Sequence, residues 1–347
     1  MQSPDFVRTS TAAAITLGLR RGRFYRNARL GCINLLLTYP DGCRANCAYC
    51  GLSRERPGTY QKKSFIRVEW PVVSIDRILQ AMQERLNRLG RVCISMITHA
   101  DAVSDTLILT RRIRNAVDLP VSLLITPSLV TPETLHSFKS AGADRIGIAV
   151  DAATPELFDA MRGSGVKGPH HWYRYWDCFA EAVQVFGVNR VGTHLIVGLG
   201  ETEKEMVDAL WKTREAGGFT HLFSFYPEPE SALHHREPPP LDVYRRIQLA
   251  RYLIDEGMIT RDTITFDAKD RIAGIGLPAD QLDTVIQSGK PFGTSGCPDS
   301  SGRVACNRPF ANSLPGPDVR NLPYPPDDSD IKRFRDSLQN LMDNSMH

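Results

Sequence analysis

The sequence lacks any apolar run long enough to cross a membrane. A transmembrane helix needs about 18 or more consecutive apolar residues, and no stretch approaches that length. Residues 1–29 also lack the layout of a secretory signal, because their arginines follow the apolar patch instead of preceding it. We therefore expect a cytoplasmic protein with no membrane partner.

The chain also carries little net charge. Its 42 Lys and Arg residues against 39 Asp and Glu residues leave +3 at pH 7, which is too mild for a typical nucleic-acid-binding protein. One basic segment, Arg20–Arg29, holds five arginines and two aromatic residues. This segment could bind RNA, meet an acidic carrier protein, or form a solvated face.

Strand-like and helical segments alternate at least six times between residues 31 and 255. The predicted strands are Gly31–Pro40, Arg91–Thr98, Pro120–Thr126, Asp144–Ala152, Asn189–Gly200 and Phe219–Pro227. Segments with helical periodicity, such as Ser74–Gly90, lie between them. This order predicts an α/β protein with a parallel sheet, as a partial or complete TIM-type barrel. Such barrels hold their chemistry at the carboxyl ends of the strands.

The alternation stops near residue 276. The following segment is rich in Gly, Pro, Ser and Asp, so we predict an ordered but irregular extension with a terminal helix over Ser329–His347. The predicted division is therefore an N-terminal extension at 1–29, a barrel at 30–276 and a C-terminal extension at 277–347.

Three of the eight cysteines lie within eight residues, directly after the first predicted strand. They are Cys43, Cys47 and Cys50. In a reducing compartment such spacing indicates metal binding or catalysis more than disulfides. Structural zinc normally takes four protein ligands, so a zinc site would need a distant fourth cysteine. Iron–sulfur clusters are also held by thiolates, and three thiolates on a four-iron cluster leave one iron open.

The C-x₃-C-x₂-C spacing, with Tyr49 before the last cysteine, resembles the signature of the radical S-adenosylmethionine (SAM) superfamily. The resemblance extends from about residue 30 to 275. It implies a [4Fe–4S] cluster whose open iron binds the amino and carboxylate groups of SAM. Reductive cleavage would then yield a 5′-deoxyadenosyl radical that abstracts a hydrogen from the substrate.

The resemblance also implies residues that bind SAM. "GTHLIVGLGET" is similar to the family's fifth-strand motif around the adenine, "AVDAATPELFDAMRG" to its fourth-strand region, and "ITHAD" stands where many members have Gly-Gly-Glu. The implied SAM-binding residues are Thr98, His99, Asp101, Asp151, Arg162, Ile196, Gly198 and Glu201. Plain barrel packing is the alternative for Asp151, Ile196 and Gly198.

Within the superfamily, the stretch from residue 154 to 202 resembles the biotin-synthase-like branch. Biotin synthase carries a second cluster on cysteines from several strands. Here Cys93 lies on the second predicted strand, but Ser122 and Gly192–Thr193 stand where further cysteines are expected. That pattern is broken, so we expect Cys93 to be a small buried core residue.

The C-terminal extension offers another place for a second cluster. Cys297 and Cys306 lie in a Gly/Pro/Ser-rich loop, and Cys32 on the first predicted strand could supply a third thiolate. Unligated thiols or a zinc loop are the alternatives. The layout resembles the two-component lipoyl synthases, paired radical enzymes that insert sulfur into an octanoyl chain on a lysine of a carrier protein.

These resemblances imply the partners of the chain. They are a carrier-bound or small-molecule substrate, an electron donor such as ferredoxin or flavodoxin, and a second radical SAM subunit. Two other functions stay open at this point: a radical SAM enzyme of different outcome, such as RNA methylthiolation or carbon-skeleton rearrangement, and a non-enzymatic zinc protein. Two pairs, His170–His171 and His234–His235, have no clear zinc spacing and are predicted to lie in solvated loops.

Overall fold

The computed structural model describes residues 1–311, 316 and 318–344. Eight strands form its main sheet. In chain order they are β1 (Phe6–Thr9), β2 (Cys32–Leu37), β3 (Val72–Ser74), β4 (Arg91–Ser95), β5 (Val121–Ile125), β6 (Ala143–Asp151), β7 (Val191–Val197) and β8 (Phe219–Ser224). A separate hairpin consists of β9 (Ile264–Phe266) and β10 (Ile272–Ile275).

The main sheet is a partial barrel with a parallel centre. Its spatial order is β3-β1-β2-β4-β5-β6-β7-β8. Six strands pair in parallel: β2, β4, β5, β6, β7 and β8. Strand β1 pairs antiparallel with both β2 and β3. The strands β3 and β8 are its two edges. The prediction of an α/β, TIM-type architecture is therefore confirmed, in its partial form.

Helices cover the outside of the sheet and the C-terminal region. They are α1 (Thr11–Thr16), α2 (Ile75–Glu84), α3 (Ala102–Ala116), α4 (Pro132–Ser140), α5 (Pro155–Arg162), α6 (Trp172–Phe186), α7 (Glu203–Glu215), α8 (Leu241–Asp255), α9 (Ala279–Gln287) and α10 (Asp328–Asn344). Local sequence sets several of their starts. Thr131 caps α4 with Pro132 at its first position, and Thr202 and Glu205 form a capping box on α7.

Successive strands align their side chains in layers inside the barrel. Asn34, Cys93 and Ser122 are register partners on β2, β4 and β5. One layer nearer the carboxyl ends, Leu36, Ser95 and Leu124 are partners in the same way. Because side chains alternate across a strand, both layers point to the same interior face.

The C-terminal extension differs from the prediction of an irregular segment. Helix α9 lies inside it and buries Leu282, Val285 and Ile286 on one face. The terminal helix begins at Asp328, close to the predicted Ser329, and residues 345–347 lie outside the described part. Strand β1 lies in the predicted N-terminal extension and joins the sheet. The division at residues 29 and 276 stays a prediction.

None of the described helices is both long and apolar enough to span a membrane.

Candidate functional site

The three motif cysteines line a cavity at the carboxyl ends of the parallel strands. This first cavity has a volume of about 200 Å³. Cys43, Cys47 and Cys50 all lie on its wall, and Cys47 is buried. The remaining wall is mostly apolar and comes from the six parallel strands and the loops after them. It includes Leu36, Met96, Ile97, Leu124, Ile125, Ile196, Phe223 and Phe225.

Backbone hydrogen bonds hold the cysteine loop against neighbouring loops. The Arg44 amide donates to the Thr98 carbonyl at 2.8 Å, and the Ala48 amide donates to the Met161 carbonyl at 2.8 Å. Asn46 Nδ2 donates to the Val166 carbonyl at 3.0 Å. The loop is therefore tied to the segments after β4 and around α5, which fixes the direction of its thiols into the cavity.

The aromatic residue of the motif links the cysteine loop to β6. The Tyr49 hydroxyl donates to the Asp151 carboxylate, and Arg162 Nη1 donates to the same oxygen at 2.7 Å. Burial raises the pKa of Asp151, and the positive charge of Arg162 opposes that shift. Asp151 also has φ +66°, a left-handed conformation that costs energy in a non-glycine residue. The surrounding contacts hold it there.

Arg162 continues this network away from the cysteines. Its Nη2 donates to the Tyr175 hydroxyl at 2.9 Å, and that hydroxyl lies 3.0 Å from His170 Nδ1. Burial lowers the pKa of His170 to about 2, so the imidazole is neutral. The prediction of a solvated loop is therefore wrong for His170, which is 2% exposed and lines the cavity. It holds for His171, His234 and His235, which are exposed.

The cavity brings together half of the residues predicted to bind SAM. Thr98, Asp151, Arg162 and Ile196 line it directly, whereas His99, Asp101, Gly198 and Glu201 lie outside its wall. His99 stacks on Tyr39 with ring centroids 3.7 Å apart, and its Nε2 lies 3.1 Å from Asp41 Oδ1. These contacts support the start of the cysteine loop.

The turn after β7 is shaped by Glu201. Its carboxylate accepts from the amides of Gly198, Leu199 and Gly200 at 2.6 to 3.0 Å. Gly198 has φ +107°, and a Cβ at this position would lie 2.7 Å from Pro239 Cδ. Only glycine suits both the conformation and the close approach. These two residues therefore form the rim beside Ile196 and do not line the cavity.

A second cavity, of about 70 Å³, lies deeper in the barrel. Cys93, Cys297 and Cys306 are on its wall. The two cavities share six wall residues: Phe65, Ile66, Ser95, Leu124, His194 and Phe223. A molecule that spans this shared wall would contact both groups of cysteines.

The C-terminal cysteines reach this cavity on a short hairpin. The Cys306 amide donates to the Cys297 carbonyl at 3.2 Å, and Pro298 forms a bridge with Val304. Arg91, the first residue of β4, donates from Nε to the Pro298 carbonyl at 2.7 Å. The hairpin therefore closes the amino-terminal end of the barrel, opposite the motif cysteines.

Cys93 was expected to be a core residue, and the structure instead places it on the cavity wall. It is half-buried, and its pKa of about 12 is raised by burial and then by Cys306 and Cys297. Cys32 is fully buried behind Cys306 and hydrogen-bonds its sulfur. That hydrogen bond and the charge of Arg308 lower the pKa of Cys306 to about 6, against the effect of burial. Four cysteines therefore converge here.

Residues 37–210 match the Radical SAM superfamily. The chain belongs to this superfamily. No curated protein matches the chain in sequence. Among solved structures, methylornithine synthase (PylB) is similar with a TM-score of 0.52 at 14% identity, over 94% of this chain and 85% of that one. HydG, a maturase of the [FeFe]-hydrogenase, is similar with a TM-score of 0.51 at 15% identity, over 70% of this chain and 52% of that one. At these identities the likeness is one of fold.

The first cavity suits the cofactors that the radical SAM superfamily implies. It offers three thiols for a cluster, and a polar side joined to an apolar wall for SAM. Arg162 Nε is buried there with no hydrogen-bond partner among the described residues. Such an orphan donor indicates that a polar group of a ligand completes the site. Within the described ranges, no three His, Cys, Asp or Glu side chains come close enough to hold a single metal ion.

Sequence reasoning missed the buried positions of Tyr175 and His170 and the place of Cys93 on a cavity wall. Tyr175 lies in the first turn of α6 and His170 lies two residues before the helix, where nothing in the local pattern marks a buried polar pair. Cys93 and Ser122 carried a usable signal, since both occupy interior positions of adjacent strands. The hairpin that brings Cys297 and Cys306 to them has no local signature.

Proposed function

We propose that this radical SAM enzyme inserts sulfur into an unactivated C–H position, in the manner of the lipoyl synthases. One observation carries the proposal: Cys93, Cys297 and Cys306 surround a second cavity that shares a wall with the first. A radical enzyme that forms a carbon–sulfur bond needs a sulfur source within reach of the substrate carbon. Two adjacent cysteine-lined cavities in one barrel meet that need.

In this proposal each cavity holds its own group. Cys43, Cys47 and Cys50 hold a [4Fe–4S] cluster, and Thr98, Asp151, Arg162 and Ile196 contact SAM. Four other residues act indirectly, because they fix the loops that carry the contact residues. They are His99, Asp101, Gly198 and Glu201. When bound and reduced, this pair would supply a 5′-deoxyadenosyl radical, and a second cluster on the deeper cysteines would supply sulfide.

The chain's own residues orient the reactants and exclude water. Arg162 is held on three sides, by Asp151, Tyr175 and the carbonyls of β6, so its free Nε keeps one direction. The shared wall carries Phe65, Leu124 and Phe223, which give an apolar passage between the cavities. An apolar passage protects a carbon radical from side reactions with water.

The apolar wall favours a saturated acyl chain as the substrate. We infer an octanoyl chain on a lysine of a carrier protein, in keeping with the biotin-synthase-like branch of the superfamily. Radical SAM enzymes need an electron donor, for which we propose ferredoxin or flavodoxin. A second radical SAM subunit is the further partner that this enzyme type implies.

Labelled sulfide tests the sulfur source. The protein is reconstituted anaerobically with iron and ³⁴S-sulfide, then given SAM, reduced flavodoxin and a peptide with an octanoylated lysine. We expect 5′-deoxyadenosine and a thiolated peptide that carries ³⁴S. The double variant Cys297→Ala, Cys306→Ala should form 5′-deoxyadenosine without the thiolated product.

Cys178→Ala is the matched control, because Cys178 is buried on α6 outside both cavities. It should behave as the wild type. The proposal is contradicted if wild-type protein cleaves SAM but yields no sulfur-containing peptide, or if the double variant yields as much of it as the wild type.

A further inference from the structure

The second cavity has a fourth donor that is not a cysteine. Three thiols line it, from Cys93, Cys297 and Cys306, and the imidazole of His221 lines it with them. His221 lies on β8 and Cys93 on β4, so the two approach the cavity from different sides of the barrel. Imidazole nitrogen and thiolate sulfur are both ligands of iron in iron–sulfur proteins.

The hydrogen bond of His221 fixes which nitrogen faces the cavity. Its Nδ1 lies 2.9 Å from the carbonyl oxygen of Ser295, and a carbonyl can only accept. Nδ1 therefore carries the proton, and in the neutral ring Nε2 is an acceptor, which the Cys297 thiol meets as a hydrogen-bond donor. Nε2 lies 3.5 Å from Cys297 Sγ, on the cavity side. In a metal-binding histidine, the ring nitrogen that does not bind the metal usually donates a hydrogen bond, often to a backbone carbonyl.

Ser295 fixes this arrangement through both its hydroxyl and its carbonyl. Its hydroxyl accepts from the amide of Leu222 at 2.9 Å, beside His221 on β8. Its carbonyl also accepts from Arg308 Nη2 at 3.0 Å. Ser295 precedes Cys297 by two residues, and Arg308 follows Cys306 by two. The same contacts therefore set the imidazole and both hairpin thiols in one rigid group.

Cys32 is placed differently from these four residues. Its side chain is 0% exposed and is not on the cavity wall. Its register partner on β4 is Arg91, two residues before Cys93, which puts it one layer deeper. Asn34 Nδ2 lies 3.6 Å from Cys32 Sγ and 3.4 Å from Cys306 Sγ. Cys32 thus contacts the Cys306 sulfur from behind, and Asn34, which is itself on the cavity wall, donates toward both sulfurs.

The cavity also offers space and positive charge to an anionic group. Its volume of about 70 Å³ exceeds the roughly 10–15 Å³ that one water needs, so several atoms fit. Arg308 lies on its wall, and Arg308 Nε is buried with no hydrogen-bond partner in the described part of the chain. A guanidinium with a buried free donor suits an anionic group such as a thiolate-bound cluster.

We propose that Cys93, Cys297, Cys306 and His221 are the four ligands of the second iron–sulfur cluster, and that Cys32 is not a ligand. Cys32 instead donates a hydrogen bond to Cys306, which replaces the ligand role expected for it from the sequence. The inference rests on the proposed second cluster and specifies its ligands. One neutral imidazole in place of a thiolate should raise the reduction potential of the cluster.

The test isolates the second cluster in a background without the first. Protein with Cys43→Ala, Cys47→Ala and Cys50→Ala is reconstituted anaerobically with iron and sulfide, reduced, and studied by pulsed electron paramagnetic resonance. We expect about four irons and four sulfides per chain, as for one four-iron cluster, and a ¹⁴N coupling of directly bound imidazole. Adding His221→Cys should keep the iron, abolish the ¹⁴N coupling and lower the reduction potential.

Three single changes in that background complete the test. Cys32→Ala should keep the iron and the ¹⁴N coupling, whereas Cys306→Ala should lose iron. His194→Ala is the matched control, because His194 is the register partner of His221 on β7 and also lines the cavity. It should leave the coupling in place.

The possible failures are distinguishable. Absence of both iron and sulfide from the background protein would overturn the second cluster and with it the sulfur-insertion proposal. A full cluster without ¹⁴N coupling, or a coupling lost in His194→Ala and kept in His221→Cys, would overturn the ligand assignment alone. So would loss of iron in Cys32→Ala equal to that in Cys306→Ala.

Discussion

At the residue scale, the polar contacts of the first cavity meet at Arg162. Its guanidinium holds Asp151, which in turn accepts from Tyr49 of the cysteine loop. The proposed SAM site therefore depends on one buried ion pair, whereas the cysteine loop contacts it through Tyr49 and is also held by the backbone hydrogen bonds of Arg44 and Ala48. Removing one partner of such a pair leaves an uncompensated charge, which is costly.

Replacing Arg162 should separate SAM binding from cluster binding. We expect Arg162→Met to weaken SAM binding by about ten- to a hundredfold, since hydrogen bonds to charged groups contribute about 1.5–3 kcal/mol. The iron content should stay at the wild-type value. Equilibrium binding of SAM to the reconstituted protein measures the first effect, and iron analysis measures the second.

Arg174→Met is the control for that variant. Arg174 pairs with Glu181 on the same helix, α6, and is not on the wall of either cavity. It should bind SAM as the wild type does. Unchanged SAM binding in Arg162→Met would mean that this arginine is structural only.

At the element scale, the hairpin that carries Cys297 and Cys306 depends on a close backbone approach. A Cβ on Gly296 would lie 2.0 Å from the Cys306 carbonyl oxygen, which no side chain tolerates. We expect Gly296→Ala to displace Cys297 and to lower the iron content of the second site, with SAM cleavage retained. Iron analysis and a 5′-deoxyadenosine assay check the two parts.

Gly293→Ala is the matched control for the hairpin. A Cβ on Gly293 would lie 3.5 Å from the Lys290 carbonyl oxygen, an ordinary contact. This variant should keep full iron. If Gly296→Ala also kept full iron, the hairpin would not position the ligands of a second cluster.

Helix α8 contains a carboxylate with an unusual titration. Burial raises the pKa of Asp255 to about 6, partly offset by Arg251 at 3.4 Å. The unfolded value is about 3.9, so the folded state binds this proton more tightly. The group's contribution to stability is therefore full below pH 4 and is lost as the pH rises through 6.

Asp255→Asn should remove that pH-dependent loss. We expect its thermal midpoint to exceed that of the wild type by about 2 °C or more at pH 8, with little difference at pH 4. Calorimetry of the apoprotein at the two pH values measures this. A larger gain at pH 4 than at pH 8 would reverse the sign and contradict the buried, raised-pKa carboxylate.

The elements that the sequence predicts correctly are those whose signals lie within the element itself. The six parallel strands and the helices between them follow from periodicity and caps within each segment. Strand β1 is four residues long and is stabilised by pairing with β2 and β3, which are distant in sequence. Helix α9 escapes prediction because it lies in a Gly/Pro-rich region, although its buried residues Leu282, Val285 and Ile286 recur at helical spacing.

At the scale of the whole molecule, one barrel holds two cysteine-lined cavities that share a wall. The first cavity was predictable, because its three cysteines are close in sequence and follow a strand. The second requires residues separated by more than 200 positions to meet, Cys93 from β4 and Cys306 from the C-terminal hairpin. Only the closure of the barrel end by the hairpin joins them.

Counting iron and acid-labile sulfide tests the two-cluster arrangement most directly. The measurement compares anaerobically reconstituted wild-type protein with Cys43→Ala, Cys47→Ala, Cys50→Ala protein and with Cys297→Ala, Cys306→Ala protein. We expect about eight irons and eight sulfides per chain in the wild type and about four of each in both variants, as for two independent four-iron clusters. A wild-type value of about four that is unchanged by the loss of Cys297 and Cys306 would contradict the second cluster.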